Sequence, residues 1–255
     1  MIQEPLAGLT SPIHALDPRV RLAACLALSL VAALARGAAA PALILGFGLL
    51  MTGLARPPWG HVLARALAVN GFVALLWLLL PFTAPGPDMP GPLGLPLSRT
   101  GLEMAGLVTL KANAVFFCVL ALLATIPVTA LGQAMAALGI PAKLAFLFIF
   151  TYRYVHVLAE EYARMRQVAA LRGFVPATDW RTYRTYSALV AMVLVRGHDR
   201  AQRVFQAMLL RGFHGAFPSL NRFQPGQADP LFLALAAIVA GAALALELGI
   251  WRLHG

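Results

Sequence analysis

Apolar runs too long for any water-soluble core decide the class of this chain before a single motif is read. Val62 to Phe82, Leu102 to Ile126 and Leu231 to Trp251 each reach the roughly 20 apolar residues needed to cross about 30 Å of hydrocarbon. With 60% of its 255 residues hydrophobic and only 12% charged, the chain could not hide this surface in a soluble domain. A bilayer solvates it, on condition that backbone groups are satisfied within helices or a closed barrel. The runs are Leu/Ala-rich without period-2 alternation, so helices are expected. The expected fold is all-α: a polytopic membrane protein with about five spans plus two long amphipathic helices on the cytoplasmic side.

The first two expected spans, Leu22 to Leu34 (extended by small residues to Ala40) and Ala42 to Ala55, are short and join through Arg36-Gly37 as a tight hairpin. The Pro/Gly-rich stretch from Thr83 to Arg99 reads as an external loop. After Pro127 the pattern changes. Leu144 to Phe150 is too short to span, and the segment continues as one amphipathic helix to Gly173, followed by a second from Trp180 to Gly212. The Pro225-Gly226 and Asp229-Pro230 breaks precede the last span. Three regions are therefore expected: residues 1–130 as N-terminal transmembrane helices, 131–222 as the cytoplasmic region and 223–255 as a C-terminal transmembrane helix.

Eleven of the 18 arginines lie between Arg153 and Arg222. In a membrane protein this is the positive-inside signal, with anionic lipid as a contact. It places the N-terminus inside, with Arg56 and Arg65 also inside, and leaves Arg36 as one dissenting charge outside. Nucleic acid is not an expected partner, because no stacking aromatics are interleaved with the basic residues. Cys25 and Cys118 fall inside apolar runs and read as packing residues. Met1 to Glu4 lack a basic stretch leading into an apolar one, so no cleavable signal is expected.

One eleven-residue pattern occurs twice. Arg164-x-x-Gln167-x-x-x-Leu171-Arg172-Gly173-Phe174 repeats 39 residues later as Arg203-x-x-Gln206-x-x-x-Leu210-Arg211-Gly212-Phe213. Its first three fixed positions fall at i, i+3 and i+7, one stripe of a helix. The glycine suits the left-handed position after a helix end, and the arginine before it suits the negative end of the helix dipole. Capping explains Arg-Gly but places no demand on the repeated Gln, Leu and Phe. Two similar helix tips instead suit a partner with two similar pockets.

The chain offers no phosphate loop, no His-Glu-x-x-His and no paired mid-span carboxylates, so no catalytic residue is assigned and energy for transport would have to be imported. The six histidines show no ligand spacing, so no metal site is expected. Lys111 lies inside a span, and Glu247, near the outer end of the last one, is its candidate intramembrane partner; a snorkelling lysine is the alternative.

With those residues assembled, the chain resembles the transmembrane T subunits (EcfT/CbiQ type) of energy-coupling factor (ECF) transporters, most closely the cobalt-system member. The resemblance rests on Leu16-Asp17-Pro18-Arg19-x-Arg21-Leu22, on Tyr152-Arg153-Tyr154 followed by Glu160-Glu161, and on Arg196, Arg200-Ala201, Arg203-Val204, Ala207-Met208 and Arg211-Gly212-Phe213. The family's Ala-Arg-Gly signature stands here as Leu171-Arg172-Gly173 and Leu210-Arg211-Gly212. The resemblance implies a non-catalytic scaffold in a bacterial inner membrane, whose two coupling-helix tips dock on a pair of ABC-type ATPases. A substrate-binding membrane subunit, and as a further candidate a small accessory membrane subunit, complete the implied assembly. ATP would be bound by the ATPases and no cofactor by this chain. Asp17, Pro18, Arg19, Arg164, Arg200 and Arg203 are carried over as motif residues. Cobalt is the implied cargo, with nickel or a vitamin as alternatives. A membrane-embedded lipid or prenyl enzyme would want an acidic metal cluster, and a channel or secondary carrier would work alone.

Overall fold

A computed structural model describes residues 11, 13–84, 88–90, 96–213, 226 and 228–254. The expectations drawn on Met1 to Glu4, Pro225, Arg222 and much of the proline-rich loop lie outside the described residues. Among the described residues eight helices run in chain order: α1 (Pro18–Leu34), α2 (Ala39–Ala55), α3 (Trp59–Thr83), α4 (Arg99–Leu122), α5 (Val128–Ala137), α6 (Ala142–Leu171), α7 (Trp180–Leu210) and α8 (Ala228–His254). Between α3 and α4, in the stretch expected to be irregular, the strands β1 (Asp88–Pro90) and β2 (Pro96–Ser98) pair antiparallel, Met89 opposite Leu97.

Four described helices are long and apolar enough to span: α3, α4, α6, and α8 over Ala228–Gly249. The shortness expected of the first two spans is seen, and α6 joins the set by length and composition alone. Helices α1 and α2 have 17 residues each, about 25 Å at 1.5 Å per residue, short of a full hydrocarbon thickness. In contrast, α6 continues unbroken through the polar interruption at Tyr152-Arg153-Tyr154, so its apolar content is not limited to Leu144 to Phe150. The chain is a multi-pass helical membrane protein.

The structure divides into two compact units, residues 4–134 with 223–255, and residues 135–222. In the first, α4 packs on α1, α2 and α3, while α8 packs on α1 and α2. The seam is built from small side chains: Ala24, Cys25, Ala32, Ala40, Ala114, Cys118, Ala121 and Ala243 are buried in one cluster with Leu28, Ile44 and Leu122. Between helices solvated by lipid, hydrophobic collapse contributes little, and close backbone approach over small residues supplies the attraction. Gly48 shows how close: a Cβ there would sit 3.1 Å from the Cys118 amide nitrogen and from Phe117 Cβ. Helix α3 leans on α4 through polar rungs. Asn70 and Asn113 exchange amide hydrogen bonds of 3.1 and 2.9 Å, and Trp77 Nε1 donates to Thr109 Oγ1 at 2.8 Å. Its remaining faces expose Leu63, Leu67, Phe72 and Leu78, which is tolerable only against lipid or another apolar surface.

The Asp17-Pro18 motif is a helix start. The Asp17 carboxylate accepts from the Arg19 amide at 2.8 Å, with Pro18 at the first helical position. Asp229, at the start of α8, accepts from the Asp17 amide at 2.8 Å and from the Gly226 amide at 2.6 Å, tying two helix starts together. Arg21, 2% exposed, donates to Thr125 Oγ1, which in turn donates to the Ala121 carbonyl.

Lys111 and Glu247 do not meet in the arrangement expected for an ion pair; among the described ion pairs none joins them. Lys111 Nζ donates to the Ala33 carbonyl at 3.0 Å, at the end of α1, and the Glu247 carboxylate accepts from the Arg36 and Gly37 amides at 2.5 and 3.3 Å. The two charges therefore each hold backbone groups of the α1–α2 turn. A helix end leaves carbonyls without partners, and the amides of a following turn need acceptors, so each charge answers a backbone need directly. In a double-mutant cycle of Lys111→Met and Glu247→Gln, the coupling energy read from thermal unfolding in detergent is expected below about 0.5 kcal/mol.

Candidate docking site on the helix tips

Helices α6 and α7 run antiparallel. Phe174, just past the end of α6, meets Tyr186 near the start of α7 with ring centroids 5.6 Å apart, while Phe213, just past the end of α7, meets Phe146 near the start of α6 at 5.5 Å. The phenylalanines that capping leaves unexplained thus anchor each tip to its neighbour helix. The tips lie at opposite ends of the hairpin, separated along α6 by roughly 40 Å.

Both tips close by the same hydrogen-bond scheme. Phe174 donates its amide to the Ala169 carbonyl at 3.1 Å and Gly173 to Ala170 at 3.0 Å; Phe213 donates to Met208 at 3.1 Å and Gly212 to Leu209 at 3.0 Å. This paired arrangement is the Schellman motif, which requires a left-handed residue after the last helical turn. Gly173 has φ +81° and Gly212 has φ +78°. A Cβ at either glycine would meet nothing within 4 Å, so substitution is penalised by the backbone alone. Gly173→Ala and Gly212→Ala are each expected to destabilise their tip by about 1–2 kcal/mol, seen as faster hydrogen exchange of the last turn with the rest of the hairpin unchanged.

What the tips present is an apolar collar around a cation. Leu171 is 87% and Leu210 91% exposed, the highest values among the large apolar residues described. Next to them, Arg172 and Arg211 are exposed, and their side chains have no hydrogen-bond or ion-pair partner among the described residues. Gln167 and Gln206 are exposed on the turn behind. The Asp179 carboxylate caps α7 by accepting from the Thr182 amide at 2.8 Å, an interaction with Thr182 that holds it below the ordinary carboxylate range. Between the C-terminal half of α6 and the N-terminal half of α7 lies a groove of about 920 Å³ floored by Met165, Val168, Leu189 and Met192, with Arg172 on its rim.

Of the other motif residues, Arg164 and Arg200 do not point to the tips but converge on Glu161. Arg164 Nη2 donates to Glu161 Oε2 at 2.8 Å, Arg196 Nη1 to Glu161 Oε1 at 2.6 Å, and Arg200 Nη2 stands 3.8 Å from Oε2. Arg203 is exposed on α7, while Arg19 lies at the start of α1 in the other unit. The central role of Glu161 does not show in its local sequence, where it looks like half of a solvated acidic pair. Its partner on α7, Arg196, lies 35 residues along the chain, so no local pattern points to it.

The family described as cobalt transport protein CbiQ matches residues 10–222, covering both units' described helices up to the second tip. The chain belongs to the CbiQ family. It is 29% identical over 218 residues to the cobalt transport protein CbiQ of Rhodobacter capsulatus, covering 79% of this chain and 88% of that protein. It is 24% identical to the energy-coupling factor transporter transmembrane protein EcfT of Acidaminococcus fermentans, over 90% of this chain and 92% of that one. A putative fused cobalt transport protein CbiMQ of Methanocorpusculum labreanum is 27% identical over 146 residues, 56% of this chain and 24% of the fused protein. In this CbiQ-family chain Leu171 and Leu210 are the most exposed large apolar residues described, one on each tip.

Proposed function

We propose that the chain is the membrane-embedded coupling subunit of an ECF-type importer of cobalt ions in a bacterial inner membrane. Its two tips dock on two ABC-type ATPase subunits and pass their nucleotide-driven motion to a substrate-binding membrane subunit. The observation that carries this reading is the pair of equivalent tips, each an exposed Leu-Arg collar on a rigid Schellman end, at opposite ends of one hairpin. A single pocket would need one tip; two matched tips roughly 40 Å apart suit a two-fold pair of partners. The ATPases bind the ATP, and cobalt passes as cargo through a partner whose kind is indicated by the CbiM part of the fused relative's name. A small accessory membrane subunit is a further candidate partner. No catalytic residue is assigned to this chain.

The reading is tested by affinity purification of the tagged chain from native membranes. Recovery of an ABC-type ATPase at two copies per chain, together with a membrane subunit of the CbiM kind, is the expected result. A chain recovered alone that moves cobalt or nickel ions in liposomes without ATP would make it a carrier and sink the proposal.

A further inference from the structure

The hairpin of α6 and α7 has almost no dry seam. Over 30 and 31 residues the two helices bury only Ala145, Met165 and Thr182 among the described residues. Helix pairs are ordinarily fixed in angle by interdigitating apolar ridges; here ring contacts hold the two ends, and a different device holds the middle. At the midpoint of both helices Gly197 lets Leu158 approach so closely that a Cβ at 197 would stand 3.1 Å from Leu158 Cδ2. One turn away, Glu161 bridges the helices, bonded to Arg164 on its own helix and to Arg196 on the other, with Arg200 at 3.8 Å. Its side chain is 13% exposed, against 58, 53 and 40% for those three arginines. It is the only described carboxylate with an ion pair from α6 to α7.

We propose that Glu161 is a positioning residue: its clasp on Arg196 and Arg200 fixes how α6 crosses α7, and through that the spacing of the two tips. The lever is long. Each tip lies roughly 20 Å from the crossing, so a rotation of about 10° there displaces a tip by about 3 Å. Two linked contacts reinforce one another only while both can be made at once, and a tip out of place forfeits the second. The functional half of this inference rests on the docking of both tips proposed above; the geometric half concerns the hairpin alone.

The test compares Glu161→Gln with Glu160→Gln. Glu160 neighbours it and carries the same charge, but reaches only Arg164 on its own helix, at 4.0 Å. Spin labels at Val175→Cys and Ala207→Cys in the purified full-length chain, whose native cysteines are buried, report the tip-to-tip distance. The unsubstituted hairpin and Glu160→Gln should give one narrow distance, Glu161→Gln should lose it to a broad distribution, and Glu161→Asp should recover part of it. In the co-purified complex, Glu161→Gln should still retain ATPase, with cations moved per ATP hydrolysed reduced about fivefold or more. An unchanged distance in Glu161→Gln, or equal broadening in Glu160→Gln, overturns the clasp. If no ATPase accompanies even the unsubstituted chain, the docking reading fails while the distance measurement still decides the clasp.

Discussion

Reversing both tip charges, Arg172→Glu with Arg211→Glu, is expected to leave a folded protein that no longer retains the ATPase partners proposed for it. The folded part follows from geometry. Both guanidinium groups are exposed and neither has a side-chain partner among the described residues, so the chain loses only their interaction with the helix dipoles, about 0.3–1 kcal/mol each. The binding loss is much larger. A charge buried against an opposite charge at an interface costs about 2–5 kcal/mol when its partner is removed, and reversal adds repulsion. Each tip alone would then lose on the order of 30-fold or more in affinity at about 1.4 kcal/mol per tenfold, and the double variant loses both the contacts and the linkage between them. The measurement is ATPase recovered per chain on affinity purification, beside a thermal-unfolding midpoint shifted by no more than a few degrees. Lysine at the same positions should fall between, since it keeps the charge but not the planar fork of donors. Normal recovery of ATPase by the double glutamate variant would remove the tips from the interface.

The membrane class and helix content were legible because they rest on solvation: apolar runs near 20 residues have one economical solution in a bilayer, and Leu/Ala-rich runs without alternation choose helices. The tips were legible for a related reason. A Schellman end is written in local chemistry, and Leu171-Arg172-Gly173-Phe174 states both the turn and its closure before any tertiary contact is known. Helix α6 was less legible in its polarity: Arg153 and the flanking tyrosines look like an interruption in a hydropathy reading, yet they lie within one continuous helix. Nor could the sequence assign partners to isolated charges. Lys111 and Glu247 stand at similar depth with opposite sign, and pairing is the obvious inference; what decides otherwise is the α1–α2 turn at Ala33 to Gly37, whose backbone groups lie nearer to each charge than the other charge does. Glu161 was invisible in the same way, since its partners come from 35 and 39 residues along the chain. In each case periodicity and capping are local, whereas the pairing of polar side chains depends on which helices meet.

Glycine at position 101 is expected to be among the least replaceable residues of the membrane unit, and Gly106, five residues later in the same helix, among the most. Gly101 lies in the first turn of α4, where Ser98 caps it by accepting its amide hydrogen at 3.3 Å. There the backbone of α4 touches the backbone of α3: a Cβ at 101 would lie 2.9 Å from Pro81 Cα and closer still to the Leu80 carbonyl oxygen. The obstructing atoms are main chain, so no rotamer change relieves the clash. Leu80 is further held by donation from the Ala84 amide to that same carbonyl at 3.0 Å. Alanine must therefore push the end of α3 away from α4, and the rungs below, Trp77 to Thr109 and Asn70 to Asn113, would be stretched in turn. Overpacking of this kind costs about 1–3 kcal/mol, and valine should cost more. Around Gly106 a Cβ meets nothing within 4 Å. Alanine there removes only the conformational freedom of a glycine inside a helix, which favours folding by about 0.5–1 kcal/mol. The two single substitutions, chemically identical and one helical turn and a half apart, should therefore move the thermal midpoint of the detergent-solubilised chain in opposite directions. A fall for both would point to a general intolerance of α4 to added volume, and no fall for Gly101→Ala would mean that α3 and α4 do not meet at this point.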